Sequence, residues 1–176
     1  MRALILTILL TVSPTAAAIT AEEAEQIRLT EEMRTLARRN IWVGVDRMYR
    51  HLSELGAELT STQHLQGAHA AQDLGDIQSC YERLRSAARL EPTKEVIDWL
   101  WAIDTAFGEV EITAAPGVTL SAAEQPLDAV HRKAIEKAAA ALQEDGRFVG
   151  RLPAGHYSVG GEVLEVTSGR RVALAL

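Results

Sequence analysis

From residue 20 to residue 107 apolar side chains recur every three or four positions, the period of an amphipathic helix, and no proline interrupts them before Pro92. Five helices are predicted there. Thr20 and Glu23 have the spacing of a capping box, with Glu22 near the positive end of the helix, and Leu29, Met33 and Leu36 form the first stripe. Asn40 is read as the N-cap of a second helix lined by Trp42, Val45, Tyr49, Leu52 and Leu55 and stopped by Gly56; the alternative is one long helix with a bend. Thr60 and Gln63 give another capping box, and the third helix carries Leu65, Ala68, Ala71 and Leu74. Leu74 and Gly75 close it and Asp76 caps a fourth, on which Cys80, Leu84 and Ala87 share one face and which ends before Pro92. The fifth starts at Thr93, buries Val96, Leu100, Ile103 and Phe107, and is expected to end at Gly108.

At Gly108 the period changes to two. Val110 and Ile112, then Val118 and Leu120, predict two short strands around a turn at Ala115-Pro116-Gly117. A helix over about 126–145 follows, with Val130, Ala134, Ile135, Ala138 and Leu142 inward. Four more short strands, at 148–152, 157–159, 163–166 and 172–176, are separated by glycine-rich turns. Tight turns between short strands favour a small antiparallel sandwich over a parallel sheet. The expected fold class is therefore α+β, a helical-hairpin array at 19–107 and a β module at 108–176 with one inserted helix.

Residues 1–18 have the layout of a secretory signal: Arg2, an apolar run over 3–12, Pro14, and small residues at Ala16-Ala17-Ala18. The run is about half the roughly 20 residues a membrane span needs, so cleavage and a periplasmic or secreted product without stable membrane insertion are expected. Removing that segment leaves 17 Lys plus Arg against 24 Asp plus Glu, a formal charge of −7. An acidic chain disfavours nucleic acid and anionic membrane surfaces as partners. The short basic groups Arg38-Arg39, Arg83-Arg85 and Arg170-Arg171 read as solvated faces.

The segment 62–92, through Leu74-Gly75-Asp76, Cys80, Ala87 and Pro92, resembles a tetratricopeptide repeat, with Trp42 and Tyr49 similar to the start of a degenerate earlier copy. Ala71 stands where the motif usually has an aromatic ring. The resemblance implies protein or peptide binding through a groove lined here by Thr62, Leu65, Gln66, His69 and Asp73. It lacks the lysines and asparagines with which some family members clamp a peptide carboxylate. The C-terminal part, through Gly108-Glu-Val-Glu-Ile112, Leu152-Pro-Ala-Gly-His-Tyr157 and the 172–176 strand, resembles the small PEGA or carboxypeptidase-regulatory β modules. Such modules act as non-enzymatic adhesion or spacer domains in exported proteins.

Catalytic chemistry finds little support in the residues. His64 and His69 are five apart on one helix, about 140° around it, whereas helical metal pairs use three or four. Lone Cys80 occupies a slot for a small buried side chain, and Gly-x-Ser-x-Gly is absent. No cofactor, metal or catalytic residue is expected. Trp99 and Trp101 point to opposite sides of their helix; Trp101 is assigned either to the junction of the modules, the favoured reading, or to a partner-binding surface. Leu100, Ile103 and Phe107 are expected to pack onto the sheet. The chain is expected to be a non-enzymatic exported scaffold or adaptor binding an envelope protein or peptide through its helical groove. The alternatives are an accessory protein acting on cell-wall carbohydrate through the β module and a self-associating structural protein.

Overall fold

The computed structural model describes residues 20–124 and 128–176. The signal-like segment at 1–18 and Pro126, the expected start of the late helix, lie outside the described residues. Five helices come first: α1 (Ala21–Arg38), α2 (Trp42–Glu54), α3 (Ser61–Asp73), α4 (Ile77–Leu90) and α5 (Lys94–Ala106). Then follow β1 (Phe107–Thr113), β2 (Leu120–Ala122), α6 (Ala129–Asp145), β3 (Arg147–Pro153), β4 (Gly155–Val159), β5 (Glu162–Val166) and β6 (Arg171–Ala175). The fold is α+β. Among the described residues no helix is long and apolar enough to cross a membrane.

Local chemistry sets the helix ends. Both capping boxes close: the Thr20 hydroxyl accepts from Glu23 N at 3.1 Å, and Thr60 N donates to the Gln63 carboxamide oxygen at 2.8 Å. The Asp76 carboxylate accepts from Ser79 N at 3.0 Å to start α4. Asn40 does not cap α2. Its φ of 55° places it in the left-handed region, where it ends α1 while Ile41 N reaches back to Leu36 O at 3.0 Å. Asparagine tolerates that region, so α1 and α2 are two helices joined by a tight reversal. Gly108 does not end α5 either. The helix passes straight into β1 at Phe107, and a Cβ on Gly108 would stand 2.5 Å from Thr167 O, so this glycine permits close approach of a neighbouring turn.

The strands form two three-stranded sheets, β3-β1-β6 and β2-β4-β5. Two expectations fail here. β1 and β2 are not a hairpin but lie in different sheets, because Gly117 N donates to Gln143 O at 3.0 Å and carries the intervening turn onto the end of α6. β6 lies parallel to β1, with Glu109 opposite Arg171, so the first sheet is mixed rather than antiparallel. Alternation along a strand fixes which face is buried, not which strand lies beside it. The Leu152-to-Tyr157 signature has a direct cause: the Tyr157 hydroxyl donates to Pro153 O at 2.7 Å, fastening the β3–β4 turn.

Three clusters of buried side chains hold the molecule. Leu29, Met33, Val45, Met48, Leu52 and Ala70 pack between α1, α2 and α3. Ala68, Ala71, Ile77, Cys80, Leu84, Ala87, Val96, Ile103 and Phe107 form the second, and Ala134 of α6 belongs to it. The third contains Ala138 and Leu142 of α6 with Val110, Ile112, Leu152, Tyr157, Val159, Leu164 and Val166 from both sheets. One helix thus serves two cores. Leu100 and Ile103 pack with the helical cluster rather than the core of the sheets, and Phe107, the first residue of β1, turns its side chain into that same cluster, edge-on to His131 of α6 with ring centroids 4.9 Å apart.

Two buried arginines tie elements together, and neither is a solvated charge. Arg83 is 8% exposed, pairs with Asp46 at 2.7 Å, donates to Gly67 O at 2.7 Å and lies over the Tyr49 ring at 4.1 Å. It falls three residues after Cys80, on the inner face of α4, which its pairing with Arg85 in the sequence concealed. Arg151 of β3 is 5% exposed and contacts Glu109 at 3.0 Å, Asp104 at 3.2 Å and the Tyr81 ring at 3.8 Å, joining sheet to helices. Every buried polar side-chain atom among the described residues has a partner.

The two parts approach closely at Gly75. Its φ is +75°, Asp76 N bonds back to Ala71 O at 2.8 Å, and a Cβ there would stand 2.3 Å from the Lys133 carbonyl oxygen of α6. Gly56 ends α2 with a φ of +68° but faces open space. Left-handed strain alone costs about 1 kcal/mol, so Gly56→Ala should lose about that much in urea unfolding. Gly75→Ala must also displace α6, and we expect it to lose at least about 2 kcal/mol more. Equal losses would mean that the contact with α6 carries no energy.

Candidate functional site

Three rings from three helices meet on one surface. His69 of α3 stacks against Trp42 of α2, centroids 5.7 Å apart and planes 26° apart, and meets Trp99 of α5 at a tilt, centroids 4.6 Å apart and planes 47° apart. The sequence arranges this by simple spacing. Trp42 opens α2 and Trp99 sits midway along α5, while Ala68, Ala70 and Ala71 keep the inner side of α3 small, so the larger His69 is left on the outer side. Beside the rings lies a depression of about 650 Å³ lined by His69, Gln72, Lys94, Glu95, Asp98 and Trp99. A smaller one of about 210 Å³ continues past Trp42, His69, Gln72 and Asp73 to Lys133 of α6. A wider hollow of about 910 Å³ between α1 and the α2–α3 connection contains Ile27 and Leu59 among carboxylates and amides but no ring, and it begins at Thr20, the first described residue. The aromatic surface is the better candidate because it offers both stacking area and convergent polar groups.

The groove residues expected from sequence separate into two sets. His69 and Asp73, one turn apart, line the aromatic depressions; Asp73 pairs with Lys133 at 2.9 Å. Thr62 is exposed but does not line them, and neither does half-buried Gln66. Leu65 is half-buried and packs against the second core, so part of its side chain is structural. Trp101 is 68% exposed on the far side of α5, which overturns its favoured place at the junction of the modules. Sequence reasoning missed Trp42, Trp99 and Lys133 as site residues. Trp42 looked like one member of a core stripe, and Lys133 lies 60 residues from Asp73, beyond any local spacing.

The electrostatics favour neutral rings. Burial lowers the His69 pKa, opposed by the nearby Glu95 carboxylate; for His64, burial acts first and the Arg83 charge adds to it. His64 faces elsewhere, its Nδ1 2.9 Å from the Tyr49 hydroxyl. Burial pushes the Cys80 thiol up to about 12, so it stays protonated and packs as a small apolar group. The aromatic surface therefore supplies a cluster of ring faces and edges, rimmed by Gln72, Glu95, Asp98, Lys94 and Lys133. That chemistry suits reversible contact with side chains of both apolar and polar character.

For a histidine whose folded pKa is depressed, the neutral form stabilises the fold above the unfolded value, and that contribution is lost as pH falls through the folded pKa. Titration of His64 and His69 by NMR should give midpoints below 6.5 for both. Thermal stability should fall with acidification, and His64→Gln should flatten part of the fall. Midpoints at or above 6.5 would contradict the assignment of partly desolvated, neutral rings.

Compared with known protein families, curated proteins and solved structures, the chain matches none.

Proposed function

We propose that this chain is a non-enzymatic, exported scaffold or adaptor that captures an envelope protein or peptide on the Trp42–His69–Trp99 surface. The carrying observation is the convergence of those three rings, from three helices, beside an open depression with a rim of mixed charge. Aromatic rings give a large contact area at small entropic cost, and a rim of mixed sign fixes orientation without demanding a highly charged ligand. The α3–α4 hairpin, with small residues at Ala68, Ala71, Cys80 and Ala87 all buried, supports a tetratricopeptide-like reading of the helical part. The two small sheets around one core, with the Tyr157-to-Pro153 bond at their turn, support a PEGA-like reading of the β part. Export rests on the signal-like composition of residues 1–18.

The test compares two substitutions on the same helix. His69→Glu places a carboxylate between two tryptophans at an exposed position, so partner capture from envelope extracts should fall at least about tenfold while the unfolding midpoint moves little. Leu65→Glu should instead lower stability by about 1–3 kcal/mol, because Leu65 packs on the helical core. Undiminished capture by a folded His69→Glu protein would remove the aromatic surface from the function.

A further inference from the structure

We infer that the outer face of α5 is a self-association surface, on which a second copy of this chain packs antiparallel across a two-fold axis. α5 is the last helix of the array and buries Val96 and Ile103, with Leu100 partly covered beside them. Its opposite side carries Trp101 at 68% exposure and Ile97 at 48%. These two stand four residues apart, about 40° around the helix, and form one short apolar ridge. Thr105 continues it, its hydroxyl turned back to Trp101 O at 2.9 Å, which satisfies the polar atom within the helix. An exposed tryptophan beside an aliphatic residue is an anchor composition common at protein interfaces.

The charges along this face identify the occupant. Lys94 and Asp98 flank the ridge as an i, i+4 ion pair with side chains 87% and 60% exposed. The cation lies three residues before Ile97 and the indole four residues after it, so the face is self-complementary only when reversed. An axis beside residues 97 and 98 sets Lys94 of each copy opposite Trp101 of the other, giving two cation–π contacts with the two Ile97 side chains between them. Asp98 travels with Lys94, so neither charge is left alone. A parallel arrangement would instead set Lys94 against Lys94, and the antiparallel one also opposes the two helix dipoles. Trp101 and Ile97 lie on the side of α5 away from Trp99, whereas Lys94 and Asp98 stand between that ridge and the aromatic depression, which they also line.

Sedimentation equilibrium over a concentration series tests the inference with the full chain. The wild type should reach twice the monomer mass, and Trp101→Glu and Ile97→Glu should both remain monomeric with unchanged far-UV circular dichroism and unfolding midpoint. The swap Lys94→Glu with Asp98→Lys keeps an ion pair within the helix but sets a carboxylate against the opposing indole, and should weaken dimerisation roughly tenfold. His69→Glu should leave the mass unchanged, which separates this surface from the proposed binding site. A wild type that stays monomeric up to millimolar concentration overturns the inference, as does a dimer that survives Trp101→Glu. Dimerisation indifferent to the charge swap would overturn the antiparallel arrangement.

Discussion

The structure depends on how closely α6 can lie against the α3–α4 turn. With Gly75 there, no side chain separates the turn from the Lys133 carbonyl, and Ala134 enters the helical core while Ala138 and Leu142, one and two turns on, enter the core of the sheets. Close-packed interiors transmit such constraints because there is no free volume to absorb a shift. Around this apolar contact lie two ion pairs, Asp73 with Lys133 and Asp76 with Lys137 at 3.4 Å. Both are partly exposed and worth little individually, so they orient α6 more than they hold it.

Arg151 performs a complementary task from the sheet. Its guanidinium reaches Asp104 on α5 and Glu109 on β1 while lying over Tyr81 of α4, so a single buried charge is compensated from helices and sheet together. Removing one partner from such a site is costlier than the net worth of the pair, because the remaining charge stays buried. With α6 and Arg151 in place, α5 is held against α4 and Trp99 is brought over His69. The candidate site therefore inherits its geometry from contacts elsewhere in the fold, and nothing in its own loop chemistry positions it.

Much of the helical part was legible in the sequence because its determinants are local. The capping boxes at Thr20 and Thr60, the Asp76 cap and the small-residue face of α4 each act within one or two turns, and each is present as read. Asn40 and Gly108 were misread for a reason common to both: the same residue type serves more than one backbone role, and only the neighbouring elements decide which. Strand partners were not legible, since β6 pairs with β1 across about 60 residues and alternation carries no information on partnership. Arg83 and Trp42 show the same limit for side chains. Trp42 reads as one member of a stripe and Arg83 as a solvated charge, because their partners His69 and Asp46 lie on other helices.

If α6 binds the helical array and the sheets into one cooperative body, native-state hydrogen exchange measures it directly. The Ala134 and Ala138 amides of α6, the Leu84 amide of α4 and the Ile112 amide of β1 should exchange with a common free energy of opening that equals the global unfolding free energy. A sheet core that opens at markedly lower free energy than Leu84, with Ala134 following one part and not the other, would contradict the claim that this helix makes the two cores one.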